Sequence, residues 1–201
     1  MDQAIREIIN NTWSIEAKQI ERLKKTIDQD VLKTIIEKIA SCKGKVILTG
    51  CGTSAMAARK IVHSLSVIDI PSVFLNPSDA VHGSLGVVQK DDIVIFISKG
   101  GNTGELVSFI DNAKAKKAYV ITVSENEDSL LAQQSDIFVK VKIEREPDEF
   151  NMLATASTMA VIAVFDAICV ALMKYRGFTR ESFALNHPGG AVGERLQGGK
   201  K

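Results

Sequence analysis

The chain has 201 residues, 45% of them hydrophobic and 24% charged, with a formal net charge of +1 at pH 7. That length and composition suit one soluble domain with a sizeable core, and the even charge balance argues against a nucleic-acid binder or a disordered acidic segment. Cys42, Cys51 and Cys169 show neither metal-ligand spacing nor an even count to pair, and the opening MDQAIREIIN lacks the basic-then-apolar layout of a secretory signal; a reducing, cytoplasmic setting is expected.

Residues 3–40 read as helix. Ile5, Ile8, Ile9, Trp13, Ile20, Leu23, Ile27 and Val31 recur at three- and four-residue steps and form one apolar stripe, with a break near Asp28-Gln29-Asp30. This 1–40 segment is expected to pack on the domain or on a partner subunit. From Lys45 onward short apolar runs alternate with helical stretches. Strands are predicted at 46–49, 72–75, 93–98, 118–123 and 137–141, and helices at 54–66, 104–115 and 129–134. The stretch MLATASTMAVIAVFDAICVALM, residues 152–173, is long enough to raise a membrane span. Thr155, Ser157, Thr158 and Asp166 within it, and no second such stretch, favour a core or subunit-interface helix in which Asp166 makes a buried hydrogen bond; no membrane association is expected. The alternation predicts a three-layer, doubly wound α/β sandwich on a five-stranded parallel sheet, with residues 41–196 as the domain and 197–201 as a disordered tail.

In such a fold ligands sit at the carboxyl ends of the strands, beside helix N-termini. Two loops there are rich in glycine and hydroxyls: GCGTSA, residues 50–55, and SKGGNTGE, residues 98–105. Gly50, Gly52 and Ala55 satisfy a G-x-G-x-x-A dinucleotide pattern, a weak signal by itself. That reading needs an acid near the end of the second strand to hold a ribose, and Asp69 comes too early while Asp79 lies past a proline. Two turns that each open a helix offer free N–H groups and a positive dipole end, which suits one compact phosphate better than a dinucleotide. The plain alternative is a pair of ordinary strand–helix turns with Ser and Asn as caps.

Three further segments carry a resemblance: PSVFLNPSDAVHGSLG, DDIVIFISKGGNTGEL and RGFTRESFALNHPGGAVGERL. Over residues 40–196 the chain resembles the sugar isomerase (SIS) domain, most closely its arabinose-5-phosphate isomerase branch, and GCGTS resembles the SIS modules of glucosamine-6-phosphate synthases. The resemblance implies a phosphosugar as the ligand, with Ser54, Ser98 and Thr103 holding the phosphate, backbone help from Gly52, Gly100 and Gly101, and Thr53 and Lys99 beside them. In that branch the position of Thr53 is a lysine important for activity, and the second serine of the third-strand loop is Gly100 here, preceded by Lys99. The two departures suggest that a cation has moved from one loop to the other. Glu105, Glu146 and His187 fall on the branch's catalytic carboxylates and histidine, and His82 on its HGD motif, which reads HGS here.

Moving a carbonyl between C1 and C2 needs a base to carry a proton between the carbons, a group to shuttle protons between the oxygens, and a means of opening the ring. Glu146 or His187 is expected as the base, the other taking the remaining proton work. Each has a plainer reading: Asn102-x-x-Glu105 is also a capping box, Glu146 sits among Glu144, Asp148 and Glu149 as in an acidic surface loop, and His187 opens a Pro-Gly-Gly turn. No metal or other cofactor is implied. The expected partners are a small sugar phosphate and further copies of the chain, as a homodimer or homotetramer with sites near subunit boundaries. The regulatory CBS modules that follow the HPGG tail in larger members are absent from this sequence, so nucleotide regulation of that kind is not expected. Two hypotheses remain: an aldose–ketose isomerase (a 6-phospho-3-hexuloisomerase being a close variant), or a module that binds a sugar phosphate or nucleotide-linked sugar without turning it over.

Overall fold

The structure, a computed structural model, describes residues 2–196; the expected tail at 197–201 lies outside them. Five parallel strands, β1 (Val46–Gly50), β2 (Ser72–Phe74), β3 (Ile93–Ile97), β4 (Tyr119–Ser124) and β5 (Ile137–Lys140), form one sheet in the order β2-β1-β3-β4-β5. Every residue of β1 and β3 is buried, as a parallel strand covered on both faces must be. Side-chain alternation divides the core in two. Val46, Leu48, Ile95, Ile97 and Val123 pack under α2 (Gln29–Ala40), α3 (Gly52–Val67) and α7 (Ala156–Arg176). Ile47, Val94, Phe96 and Val120 pack on the opposite face, with Leu106 and Phe109 of α5 (Gly104–Ala115) and Leu131 of α6 (Leu130–Gln134). This is the three-layer sandwich that the alternation predicted.

The strand order reverses between β1 and β3, and Gly50 pairs directly with Ile97. The two glycine-rich turns therefore start side by side at the switch point of the sheet, the crevice where ligands of doubly wound folds lie. α3 leaves toward one face and α5 toward the other.

The N-terminal segment splits where expected, into α1 (Gln3–Thr26) and α2, with Asp28 capping α2 by accepting from the amides of Asp30 and Val31 at 2.9 and 3.1 Å. Only the second half of the α1 stripe is covered: Leu23 is buried, whereas Ile8 and Trp13 are about two-thirds exposed.

Two expectations about the apolar helix change. It begins at Ala156 rather than 152, because the Asp148 carboxylate ties the amides of Phe150, Met152 and Leu153 into an irregular loop. Asp166 makes no buried hydrogen bond; it is half-exposed and ion-paired with Lys60 of α3. α7 is long and apolar enough to cross a membrane by length and composition, yet Ala160, Val164, Phe165, Ile168 and Leu172 form the core of one face of the sandwich. Short elements with no readable periodicity also emerge: α4 (Pro77–Ala80), a 3₁₀ turn (Ser84–Val87), α8 (Arg180–Asn186) and α9 (Gly190–Leu196).

Candidate active site

A cleft opens at the carboxyl edge of the sheet, on the face covered by α3 and α7. Its polar lining is Thr53 and Ser54 of α3, Lys99 and Ser124 from the ends of β3 and β4, and Ser157 and Thr158 of α7, over an apolar floor of Ile97, Val123 and Val141. Its enclosed part is small, about 50 Å³, and it opens to solvent at its mouth.

The N-termini of both α3 and α7 meet here, and they are used differently. At α3 the cap residue Cys51 makes no side-chain bond, so the first-turn amides of Gly52, Thr53 and Ser54 have no intrahelical acceptor. Gly52 opens the helix with φ 56°, a left-handed conformation that exposes this rim. A 16-residue helix with uncapped amides and adjacent hydroxyls is built for an anion.

At α7 the anion is already in place. Glu146 is fully buried, so the acidic-surface-loop reading does not hold. Its Oε2 accepts from the amides of Thr155 and Ser157 at 3.2 and 3.3 Å, and its Oε1 from Lys99 Nζ at 2.9 Å and from the Ser157 hydroxyl. The loop that carries it is stitched from several sides. Asn151 Oδ1 takes the Glu146 amide at 2.6 Å, Arg145 Nε donates to the Glu146 carbonyl at 3.0 Å, and Gln19 of α1 accepts from the Glu144 amide at 2.9 Å. Lys18 and Arg22 of α1 also hold the Glu144 carboxylate. The N-terminal helix thus helps to place the buried carboxylate.

Burial by itself pushes the Glu146 pKa up, but the Ser157 and Lys99 hydrogen bonds outweigh it and hold the carboxyl below its ordinary value. A carboxylate with a depressed folded pKa adds stability that is fully present above its unfolded value of about 4.3 and is lost as pH falls through the folded one. Acid titration of unfolding, followed by circular dichroism, is therefore expected to show wild type losing more stability below about pH 4.3 than Glu146→Gln does; equal acid sensitivity would contradict the assignment.

The third-strand loop is braced internally. Ser98, buried, bonds Thr103 Oγ1 at 2.8 Å and accepts the Gly101 amide at 3.1 Å. Ser124 Oγ donates to the Lys99 carbonyl at 2.8 Å, which fixes the base of the lysine. Of the expected phosphate residues, Thr53, Ser54 and Lys99 line the cleft, Gly52 opens the α3 rim, and Ser98, Gly101 and Thr103 shape the turn, with Gly100 exposed on it. The Asn102–Glu105 capping box does not form: Asn102 instead accepts from the Leu130 amide at 2.9 Å, capping α6, and Thr103 caps α5 without a side-chain bond. Glu105 is exposed at the start of α5, near enough to Cys51 to add to the burial that raises that thiol's pKa. His82 is exposed in the turn after α4.

His187 is not in the cleft of its own chain. It ends α8, where its ring stacks on Phe183 with centroids 6.0 Å apart. The neighbouring Asn186 binds the Val67 carbonyl and Asp69 Oδ1 at 3.0 and 2.6 Å, at the far end of α3. The 16 residues of α3 place that end about 24 Å from the cleft. Sequence reasoning missed Ser124, Asn151 and the anchoring role of Thr155 and Ser157; the one available signal was the hydroxyl run Thr155–Thr158 opening an otherwise apolar helix.

A doubly wound sandwich with an anion-ready cleft at its switch point is a small-ligand domain, and comparison with known proteins gives the family. The SIS domain model matches residues 38–171, and the chain belongs to the SIS domain family. A Listeria monocytogenes structure, provisionally named a sugar-phosphate isomerase, is 55% identical with TM-score 0.92, over 94% of this chain and all of that one. An Escherichia coli CFT073 protein in complex with arabinose 5-phosphate is 32% identical with TM-score 0.89, over 94% of this chain and all of that one. Arabinose 5-phosphate isomerase KdsD of Shigella flexneri is 37% identical over 96% of this chain, which spans 58% of that relative's length.

Proposed function

We propose that the chain is an aldose–ketose isomerase for a sugar phosphate, of the arabinose-5-phosphate isomerase kind, working through an enediol without a metal or other cofactor. The observation that carries this reading is a buried carboxylate, Glu146, bonded to Lys99 and Ser157 of the cleft wall, beside the uncapped helix N-terminus that lines the same cleft. The phosphate docks on the amides of Gly52, Thr53 and Ser54 with the Thr53 and Ser54 hydroxyls, and Lys99 supplies the ammonium that Thr53 does not. Glu146 takes the C2 proton of the open-chain aldose. The electron pair released forms the C1=C2 enediol as the C1 oxygen is protonated; return of the proton to C1 and loss of the O2 proton give the ketose.

Ring opening and the oxygen protons fall to His187 of the partner subunit in a homo-oligomer. One exposed apolar patch supports that arrangement: Phe150, Met152 and Leu153 in the loop that leads from Glu146 into α7. Leu185 on α8, two residues before His187, is an exposed apolar side chain that could meet it. Packed reciprocally about a two-fold axis, they would bring each α8 to the other chain's cleft. Glu105 and His82 are assigned to the sugar end of the same edge. The three free cysteines fit a cytoplasmic location.

Subunit mixing tests the shared site. Glu146→Gln and His187→Ala, each inactive alone against a panel of aldose phosphates, are expected to regain about a quarter of wild-type activity when exchanged into mixed dimers, because half the dimers then hold one intact site. No recovery in verified mixed oligomers would place both groups in one chain's site or remove one from the chemistry. A binding module is the second reading, favoured by Thr53 in place of a lysine; saturable binding with no turnover of any panel member would support it.

A further inference from the structure

The Lys99–Glu146 pair joins the two halves of the cleft. Lys99 belongs to the third-strand turn, Glu146 to the loop before α7, and the ammonium lies 2.9 Å from Oε1. All the other donors to this carboxylate are fixed: two are amides at the start of a 21-residue helix, and the third is the hydroxyl of Ser157 on that helix. Lys99 is the exception. Its side chain is 40% exposed, on a flexible stem, and it lines the cleft together with Thr53 and Ser54. The remaining charged groups near Glu146 are otherwise engaged: Arg145 binds the carbonyls of Glu146 and Asp148, the Asp148 carboxylate holds loop amides, and Glu144 is held by Lys18 and Arg22. With Lys99 in place, both carboxylate oxygens have their acceptor capacity taken up, and a base needs a free lone pair.

We propose that Lys99 is an exchangeable counter-ion, pairing with Glu146 in the empty cleft and passing to the phosphate dianion when this docks at the start of α3, which frees Oε1 to take a proton. The phosphate is then both the handle of the substrate and the trigger of the base. An unphosphorylated sugar of the same stereochemistry leaves Glu146 locked even when it occupies the cleft. This inference rests on the proposed phosphosugar site, but its test needs no turnover.

The test is a double-mutant cycle on the binding of inorganic phosphate by the full chain, read by calorimetry. Since phosphate must draw Lys99 away from Glu146, Glu146→Gln is expected to tighten phosphate binding by about tenfold, within the ordinary range of coupling between sites. In a Lys99→Met background the same change is expected to alter binding by less than about twofold, and in a Lys99→Arg background the gain returns. An equal gain with and without Lys99 would mean simple repulsion between Glu146 and phosphate, and would overturn the exchange, as would no gain in the wild-type background. A readout independent of the variants is the ¹⁵N signal of the Lys99 ammonium, expected to shift saturably with phosphate; a signal unmoved at saturation overturns the proposal. Coupling without turnover of any sugar phosphate would sink the isomerase and keep the exchange, whereas turnover without coupling would do the reverse.

Discussion

Glu146→Gln is expected to lower kcat on aldose phosphates by about 10³-fold, in the middle of the range for losing a positioned general base, while KM stays level or falls. The amide matches the carboxylate in volume, and its oxygen still accepts from the Thr155 and Ser157 amides. Its NH₂ then faces the Ser157 hydroxyl, which can accept, and the Lys99 ammonium, which cannot. The helix start is preserved, and what is removed is the negative charge and the proton acceptor. Steady-state kinetics on the folded variant, with circular dichroism as the control for structure, distinguishes the roles. A large drop in kcat marks a base. Unchanged kcat with lower stability would make Glu146 a brace for α7 and would leave the isomerase reading without its proton carrier.

Gly101→Ala is expected to destabilise the protein by about 2–4 kcal/mol, the sum of a left-handed backbone penalty and overpacking. Gly101 has φ 70°, and a methyl group there would sit 2.0 Å from Ser129 Oγ and 2.4 Å from Ser129 Cβ. Ser129 cannot simply turn aside: its hydroxyl caps α6 by accepting from the Ala132 amide and also donates to the Asn126 carbonyl. Urea unfolding of Gly101→Ala, Ser129→Gly and the double variant separates the two contributions. The double variant is expected to recover the steric part relative to Ser129→Gly alone, leaving about 1–2 kcal/mol of backbone strain. A loss below about 0.5 kcal/mol, the scale of an ordinary surface change, would show that the turn relaxes freely. Because Lys99 and Ser98 belong to the same turn, phosphate binding should weaken in parallel.

The central strands were legible because they are buried on both faces and read as short, mainly apolar runs: Val46–Gly50 and Ile93–Ile97 differ by one residue from their predicted ends. α5 was legible to the residue, Gly104–Ala115, and the division of the N-terminal helices followed from Asp28. The short helices α4 and α8 were not, since one or two turns show no period, whereas the equally short α6 was placed by its position between two strands. Asn102 illustrates a different limit. Its spacing to Glu105 is that of a capping box, but the helix it caps is α6, 28 residues onward. A carboxamide satisfies whichever amide the fold brings to it.

By itself, the sequence determined the class of the fold, the position of both glycine-rich turns at strand tips, and which residue types were available for phosphate and proton work. Those are local properties, set by periodicity, backbone freedom at glycine and side-chain chemistry. Only the tertiary structure decided which of these groups act together. It buried Glu146 under donors from residues 99, 155 and 157, turned Lys99 toward that carboxylate, and put His187 at the opposite end of α3 from the cleft. Burial and ion pairing depend on which segments the sheet order brings together across tens of residues, and spacing along the chain does not encode that.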